Sequence, residues 1–288
     1  MRVLVIGRTG QVAQSMIERG RAAGATVTAL GRGAVDLADP ATLAPAFDSA
    51  RPDLVVNAAA YTAVDAAETD ETAAHALNAE GPAALAALCA KAGVPLIHIS
   101  TDYVFDGTLD RPYREDDPTG PQGAYGRTKL AGENAVLASG ADALVARTAW
   151  VYSPFGKNFV RTILRLGAER EELAVVDDQR GNPTSALDIA DAILALGARR
   201  ARWPSGASLV HLTAPDEATW HAFAEAIFAA SPHHPKVNPI PTAAFPTPAK
   251  RPANSRLATA LLAERYGLML PSWRESLPPI VKRLLHKS

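Results

Sequence analysis

The sequence predicts an α/β protein built on a doubly wound parallel sheet, and three observations support this. Short β-rich runs alternate with longer alanine- and leucine-rich runs through the first 150 residues. The short runs are apolar on both faces, as in strands that lie between two helical layers. A glycine-containing turn follows the first short run and opens the first helical run. This order of strand, glycine turn and helix is typical of folds that bind a dinucleotide.

Nine regular elements are expected in this first part of the chain. The strands are predicted at residues 2–6, 26–30, 53–60, 95–100 and 143–152. The helices are predicted at about 10–23, 40–49, 66–92 with a break near Gly81, and 125–139. Gly24 and Gly93 stand where a helix should end, since glycine readily adopts the left-handed conformation of a helix C-terminus.

The alternation is less regular after residue 152. Helices are expected at 157–168, 185–198 and 216–230, strands at 173–178 and 208–212, and short helices at 256–266 and 273–286. Seven prolines within 231–252 predict a surface connection or a loop that walls a pocket. We therefore expect a Rossmann-like domain of residues 1–152 plus about 185–215. A smaller C-terminal substrate-binding lobe would comprise about 153–184 and 216–288.

Composition narrows the class of protein further. The 288 residues include 29 Lys and Arg against 30 Asp and Glu. The chain therefore lacks the excess of basic residues that would indicate a nucleic-acid partner. Cys89 is the only cysteine, which excludes an internal disulfide and fits a reducing compartment. The apolar run at the start is too short for a signal-peptide core, and no run of about 18 apolar residues predicts a membrane span. A soluble cytoplasmic protein is expected.

The turn after the first strand carries Gly7 and Gly10 in the spacing G-x-x-G-x-x-A, which ends at Ala13. Backbone N–H groups and the positive end of a helix at such a turn can bind a pyrophosphate. Arg32 follows the second strand, where an acidic residue would instead bind the ribose 2′-hydroxyl of NAD. Because arginine suits a 2′-phosphate, the sequence favours NADPH and leaves NADH open. A solvated surface arginine is the alternative interpretation of Arg32.

Three further side chains indicate carbonyl chemistry. Tyr125 and Lys129 stand four residues apart in a predicted helix and so share one face. A neighbouring ammonium lowers the tyrosine pKa from about 10 toward neutrality, so that Tyr125 can protonate a carbonyl oxygen. Thr101 ends the fourth strand, at the sheet edge where open α/β sheets bind ligands, and its hydroxyl can orient the same oxygen. Together with the glycine turn, these residues predict a dehydrogenase or reductase site.

These motifs resemble those of the short-chain dehydrogenase/reductases, and the whole chain resembles the extended dTDP-4-dehydrorhamnose reductase group within them. The similar stretches run from residue 7 to residue 257. They are GRTGQV (7–12), RPDLVVNAAAYTAVDAAE (51–68), STDYVFDGT (100–108), YGRTKLAGE (125–133), RTAWVY (147–152), REELAVVDDQRGNPT (170–184) and TPAKRPANSRL (247–257). The resemblance implies NAD(P)H-dependent reduction of the 4-keto group of dTDP-4-dehydro-L-rhamnose.

The resemblance also implies roles for individual residues. It makes Tyr125 the proton donor, Lys129 the residue that holds the nicotinamide ribose and lowers the tyrosine pKa, and Thr101 the hydroxyl that orients the carbonyl. The implied cofactor contacts are Gly10, Gln11 and Val12 at the pyrophosphate, Asp36 and Leu37 at the adenine, and Ala60, Tyr61 and Thr62 at the middle of the dinucleotide. The implied substrate contacts are Thr101, Asp102 and Trp150.

Two residues beyond this set are candidates for supporting roles. Arg251 can pair with the substrate diphosphate, because a guanidinium suits phosphate and neighbouring prolines hold its loop still. Asn78 resembles an asparagine that related enzymes place behind the tyrosine and lysine, and a bend in its helix is the alternative. Members of the family can bind magnesium between protomers. The corresponding positions here are Ser15 and Leu187, poor ligands for a hard cation, so no such metal is expected.

Three other functions remain open on the sequence. A reductase of another nucleotide-linked 4-ketohexose would need no different motif. A sugar-nucleotide 4,6-dehydratase is disfavoured because Tyr103 follows Asp102 where those enzymes need a glutamate. A non-catalytic subunit, like the regulatory subunit of methionine adenosyltransferase, would tolerate loss of catalytic residues that are all present here. The resemblance also leaves a homodimer open.

Overall fold

The structure is a computed structural model that describes residues 1–286. Its strands are β1 (Arg2–Ile6), β2 (Thr26–Leu30), β3 (Leu54–Asn57), β4 (Leu96–Thr101), β5 (Ala143–Thr148), β6 (Val151–Tyr152), β7 (Glu172–Val176), β8 (Arg180–Gly181), β9 (Thr184–Ser185), β10 (Ser208–His211), β11 (Ala218–Thr219) and β12 (Lys236–Ile240). Its α-helices are α1 (Gln11–Ala22), α2 (Leu43–Ala50), α3 (Val64–Ala67), α4 (Glu71–His75), α5 (Gly81–Ala92), α6 (Ala124–Leu137), α7 (Phe159–Glu169), α8 (Ala186–Ala198), α9 (Trp220–Ala229), α10 (Ala260–Tyr266) and α11 (Trp273–Leu285).

A six-stranded parallel sheet forms the centre of the molecule, in the order β2-β1-β3-β4-β5-β10. The chain crosses to one side of β1 to form β2 and to the other side to form β3, so the direction of winding reverses between β1 and β3. In open α/β sheets a ligand binds outside the carboxyl ends of the strands at such a reversal. The Rossmann-like doubly wound fold expected from the sequence is therefore confirmed.

Two apolar clusters cover the two faces of this sheet. On one face, α1 and α8 pack through residues such as Met16 and Ile193. On the other face, α2, α5 and α6 pack through residues such as Phe47, Leu85 and Val136. Because both faces are covered, every residue of β3 and β5 is buried, and their apolar residues do not alternate with exposed ones.

A third apolar cluster lies among α7, α9 and α11 and includes Tyr152, Phe223 and Trp273. It packs the segments that the sequence assigns to the substrate-binding lobe, and the exact division into two domains stays a prediction. No helix within residues 1–286 is long and apolar enough to cross a membrane.

Three sequence-based element assignments need correction. The strand predicted at 143–152 divides into β5 and β6, because Trp150 between them has a φ of 47° and β6 pairs with β9. The helix predicted at 66–92 comprises α3, α4, a π-helical turn over Ala76–Glu80 and α5, so its irregularity precedes Gly81. The proline-rich stretch contains β12, in which Pro239 is tolerated because the sheet with β7 has only two strands.

Candidate active site

A cavity of about 500 Å³ opens at the carboxyl edge of the six-stranded sheet. This volume lies within the range of small-molecule and cofactor sites. The cavity brings together most of the residues predicted from the sequence: Gly10, Gln11, Val12, Ala60, Thr62, Thr101, Asp102, Tyr125, Lys129 and Trp150. The predicted residues outside its lining are Gly7, Arg32, Asp36, Leu37, Tyr61 and Arg251.

The glycine turn forms the floor of the cavity between β1 and α1. Gly7 has a φ of 114°, and a Cβ there would lie 3.2 Å from the backbone carbon and oxygen of Ala58. Only glycine fits this turn without strain. Gly10 is the N-cap of α1 and no side chain caps the helix, so its first N–H groups face the cavity. Such a helix terminus favours an anion such as a pyrophosphate.

The side chain of Gln11 has a structural role that the sequence did not reveal. Its Nε2 donates to the Val151 carbonyl at 3.2 Å, and its Oε1 accepts from Ser153 Oγ at 2.8 Å and from Asn158 Nδ2 at 3.0 Å. These contacts tie the glycine turn to the segment that follows β5. The amide oxygen and one amide N–H are used by these contacts, and we expect the Gln11 backbone to meet a pyrophosphate.

The residues expected at the adenosine end lie beside the cavity, after β2. Arg32 is exposed, and Asp36 Oδ1 accepts from the Ala38 N–H at 3.0 Å in a local turn. Leu37 is only 2% exposed and packs in the apolar cluster under the sheet. Burial of this side chain leaves only its backbone for contact with an adenine. Their role in cofactor binding stays a prediction.

Arg8 is a candidate cofactor residue that the sequence analysis missed. A Cβ on Gly31 would lie 3.0 Å from Arg8 Cβ, so the glycine turn and the end of β2 are in contact here. Arg8 and Arg32 are both exposed. Because Arg8 lies between the two glycines of the turn, its position in the G-x-x-G spacing was the available signal.

Asn78 fixes the segment that lines the middle of the cavity. Its Oδ1 accepts from the Tyr61 N–H at 2.8 Å, and its Nδ2 donates to the Tyr61 carbonyl at 3.2 Å and to Thr128 Oγ1 at 3.1 Å. Asn78 therefore links the residues after β3 to the helix that carries Tyr125 and Lys129. It also lies in the π-helical turn, so both sequence interpretations of this residue apply.

Thr101, Tyr125 and Lys129 meet at the centre of the cavity. Thr101 Oγ1 donates to Asp102 Oδ1 at 3.0 Å, and a hydrogen bond with Thr101 partly offsets the effect of burial on the Tyr125 pKa. Burial is the larger effect and raises that pKa above its ordinary value. The Lys129 amine donates to the Ile99 carbonyl at 2.8 Å. Its expected effect on the Tyr125 pKa stays a prediction.

Asp102 is a buried carboxyl group that lines the cavity next to Thr101. It is 3% exposed, and its Oδ2 is buried with no hydrogen-bond partner within residues 1–286. Burial raises its pKa to about 7, while a hydrogen bond from Thr101 acts in the opposite direction. A carboxyl group in this state can donate to or accept from a ligand hydroxyl.

Trp150 forms an aromatic wall of the cavity. Its indole stacks on that of Trp220, with ring centroids 3.5 Å apart and planes 3° apart, and its Nε1 donates to Ser255 Oγ at 3.2 Å. A Cβ on Gly181 would lie 2.3 Å from the Trp150 ring, so this packing depends on the absence of a side chain there. The predicted position of Trp150 in the site therefore agrees with the cavity, although its strand assignment was wrong.

Arg251 lies outside the lining and is engaged by a carboxylate. Its Nη2 donates to Asp65 Oδ2 at 2.8 Å, and a hydrogen bond with Arg251 also acts on Tyr103. Tyr103 lines the cavity, and its ring meets that of Tyr125 edge to face at 5.5 Å. Burial raises the Tyr103 pKa to about 12, so its phenol stays protonated. The diphosphate contact expected for Arg251 stays a prediction, and Tyr103 is a cavity residue to which the sequence analysis gave no role here.

The positions considered for magnesium do not carry metal ligands. Ser15 is fully buried, and Leu187 packs in the third apolar cluster. No group of three or more His, Cys, Asp or Glu side chains within residues 1–286 is arranged to hold a metal ion. The expectation that no magnesium binds there stays a prediction.

Comparison with known proteins identifies the family. The family model described as the RmlD substrate binding domain matches residues 1–286. The chain is 46% identical to a Burkholderia thailandensis dTDP-4-dehydrorhamnose reductase over 99% of each chain. It is 43% identical to a Streptomyces antibioticus protein named as a probable dTDP-4,6-dihydroxy-2-methyloxan-3-one 4-ketoreductase, over 96% of this chain and 93% of that one.

A solved structure agrees with these sequence relatives. It is the dTDP-4-dehydrorhamnose reductase of Bacillus anthracis in complex with NADP, which superimposes with a TM-score of 0.90 at 31% identity over 100% of this chain and 99% of that one. The likeness therefore covers the glycine turn, the cavity and the lobe above it. The chain belongs to the dTDP-4-dehydrorhamnose reductase family.

Proposed function

We propose that this protein reduces the 4-keto group of dTDP-4-dehydro-L-rhamnose with NADPH and forms dTDP-L-rhamnose. The observation that carries the proposal is one cavity in which Thr101, Tyr125 and Lys129 face the glycine turn. The high identity to named reductases along the whole chain supports the same reaction.

The chain's own residues fit a bound dinucleotide. The backbone cradle at Gly7 has no room for a Cβ, and the first turn of α1 presents uncapped N–H groups to the cavity. Gly10, Gln11 and Val12 would hold the pyrophosphate, and Lys129 would hold the nicotinamide ribose. NADPH supplies the hydride when it is bound.

The protein provides orientation and a proton. Tyr125 donates its phenolic proton to the carbonyl oxygen of the sugar as that oxygen gains charge. The Thr101 hydroxyl lies beside Tyr125 and stabilises the same oxygen. Asp102, which is hydrogen-bonded to Thr101, and Trp150 contact the sugar through an unpartnered carboxyl oxygen and an aromatic face.

A second substrate deserves testing because of one relative. The Streptomyces antibioticus protein is named as a ketoreductase of a different dTDP-linked keto sugar, at 43% identity. A reductase of another nucleotide-linked 4-ketohexose is therefore the alternative. The dehydratase is disfavoured by Tyr103, and the non-catalytic subunit by the intact Thr101, Tyr125 and Lys129. NADH as a second cofactor and a homodimer stay open. A cytoplasmic location fits the buried free thiol of Cys89.

Turnover with a panel of substrates tests the proposal. Purified protein with NADPH or NADH would be offered nucleotide-linked 4-keto sugars that differ in epimer and base, and cofactor oxidation would be followed at constant ionic strength. We expect the highest kcat/KM with dTDP-4-dehydro-L-rhamnose and NADPH. Tyr125→Phe should lower kcat by about 10²–10⁴-fold, the usual contribution of a general acid.

Tyr266→Phe is the matched control, because this tyrosine is buried, lies outside the cavity, and its hydroxyl has no partner within residues 1–286. It should keep wild-type kcat. Absence of turnover with every sugar, or unchanged turnover in Tyr125→Phe, would contradict the proposed function. A preference for a different keto sugar would support the alternative.

A further inference from the structure

Three polar side chains form a buried line behind the cavity. They are Asn57 at the end of β3, His98 in β4 and Lys129 in α6, which are 1%, 0% and 2% exposed. Asn57 Nδ2 lies 3.0 Å from His98 Nδ1, and His98 Nε2 lies 3.4 Å from Lys129 Nζ. Lys129 lines the cavity, whereas Asn57 and His98 do not.

The backbone fixes which way the Asn57 amide points. Asn57 Oδ1 accepts a hydrogen bond from the Ala59 N–H at 3.2 Å. The Nδ2 group, which can only donate, is therefore the end that faces His98 Nδ1. A ring nitrogen that accepts a hydrogen bond carries no proton, so neutral His98 has its proton on Nε2.

His98 stays neutral across the physiological range. Its pKa is held well below the ordinary value, first by burial and second by the positive charge of Lys129. The Nε2–H of a neutral ring therefore points at Lys129 Nζ. An ammonium group has only donors, so this N–H opposes the charged form of Lys129 and can donate only to the neutral amine.

The other titratable groups around Lys129 have different positions. Glu133, one turn along α6, raises the Lys129 pKa, and burial lowers it to about 8 as the larger effect. Arg147 from β5 holds the Glu133 carboxylate at 2.7 Å. Three titratable groups lie on the cavity side of Lys129, namely Tyr125, Asp102 and Tyr103. Four others lie toward the outer side of α6, namely Glu68, Glu71, Arg127 and His75. His98 is the group that meets the amine from β4.

We propose that His98, with its tautomer set by Asn57, is a positioning residue that destabilises the charged form of Lys129. This rests on the proposed function only in taking Lys129 as the lysine of the reductase site. The Ile99 carbonyl holds the amine in place from β4, and the fixed Nε2–H of His98 faces it at 3.4 Å. If the reductase works with Lys129 in its ammonium form, the alkaline limb of its pH profile follows the Lys129 pKa.

Two substitutions each replace the hydrogen-bond donor that faces Lys129 with an acceptor. In His98→Gln the side-chain carbonyl can accept from the ammonium. In Asn57→Asp a carboxylate still accepts from the Ala59 N–H, and it draws the imidazole proton to Nδ1, so that the lone pair of Nε2 faces Lys129. Both should raise the Lys129 pKa by about one unit and shift the alkaline limb of kcat upward by about one pH unit.

Nuclear magnetic resonance of ¹⁵N-histidine- and ¹³C-lysine-labelled wild-type protein tests the contact without turnover. We expect an unprotonated Nδ1 and a protonated Nε2 at His98 from pH 6 to 9, and a Lys129 titration below that of free lysine. A protonated Nδ1 at His98 in the wild type would overturn the proposal, whether or not the protein reduces any sugar. The wild-type measurement requires no variant to fold.

The kinetic arm uses a second buried histidine as its control. His211 is also 0% exposed, but it lies in β10 and bonds to the Ala258 carbonyl. His211→Gln should leave the alkaline limb and the Lys129 titration unchanged. An unchanged Lys129 titration in both His98→Gln and Asn57→Asp would overturn the proposal. A shift in those two variants alone would support it, even if the preferred sugar proved to be a different one.

Discussion

Arg8 and Arg32 are two exposed cations at the point where the glycine turn meets the end of β2. Neither guanidinium has a partner within residues 1–286, so both are free to bind an anion. Arginine binds phosphate oxygens through charge-assisted hydrogen bonds. We expect Arg32→Ala and Arg8→Ala each to raise the KM for NADPH about tenfold while the KM for NADH changes little, as steady-state kinetics with both cofactors would measure.

Arg21→Ala is the matched control, because Arg21 is an exposed arginine in the last turn of α1, at the other end of the helix from the glycine turn. It should leave both KM values unchanged. Equal increases for NADPH and NADH in Arg32→Ala would remove the proposed contact with the 2′-phosphate.

Single residues also show how far sequence reasoning reaches. Thr101, Tyr125 and Lys129 could be predicted because the rules that place them are local: one ends a strand, and the other two share a helix face. The partners of Gln11 and Arg251 could not, since Val151 and Asp65 lie 140 and 186 residues away in sequence. No local pattern records such a pairing.

At the scale of elements, a buried ion pair holds α6 against β5. Arg147 Nε and Nη2 donate to the Glu133 carboxylate at 2.9 and 2.7 Å, and the two side chains are 4% and 1% exposed. Glu133→Gln leaves the guanidinium buried without a countercharge. We expect the free energy of unfolding to fall by about 3–5 kcal/mol, as urea denaturation would measure.

Two further variants distinguish the destabilisation caused by an unpaired buried charge from the stabilisation that the ion pair itself provides. The double variant Glu133→Leu with Arg147→Met should recover much of the loss, because apolar residues of similar volume often replace a buried pair without cost. Glu71→Gln breaks the exposed pair between Glu71 of α4 and Arg127, which lies on α6 like Glu133. This change should lower the free energy of unfolding by about 0–1 kcal/mol. Similar losses in Glu133→Gln and Glu71→Gln would contradict this account.

The element boundaries that were predicted wrongly share one cause, which is contact with residues far away in the sequence. The π-helical turn at 76–80 lies against α6, where a Cβ on Gly132 would lie 1.9 Å from the Asn78 carbonyl oxygen. The left-handed backbone at Trp150 likewise comes with stacking on Trp220, 70 residues later. Strands β1 and β2 were predicted correctly because their short β-rich runs and the glycine turn after β1 are local features.

At the scale of the whole molecule, the side chain of Gln11 joins the glycine turn to the segment that follows β5. The amide bonds to the Val151 carbonyl, Ser153 and Asn158, all of which follow β5. An ion pair between Glu18 of α1 and Arg283 of α11 adds a second link at 2.8 Å. Since the cavity takes its lining from both sides of this junction, its shape depends on how the two parts are held.

Gln11→Ala removes three hydrogen bonds at this junction and leaves the backbone of the turn in place. We expect the free energy of unfolding to fall by about 1–3 kcal/mol, because Ser153 and Asn158 lose a partner but keep others. The KM for NADPH and for the sugar should both rise, since the two walls of the cavity are no longer held in register. Gln14→Ala is the control on the same helix, because within residues 1–286 the Gln14 side chain bonds only to the Arg8 carbonyl, inside the turn, and not to the segment after β5. It should leave the KM for the sugar unchanged, and urea denaturation with steady-state kinetics would measure both variants. If Gln11→Ala raised the KM for NADPH alone, Gln11 would act on the phosphate site and not on the junction.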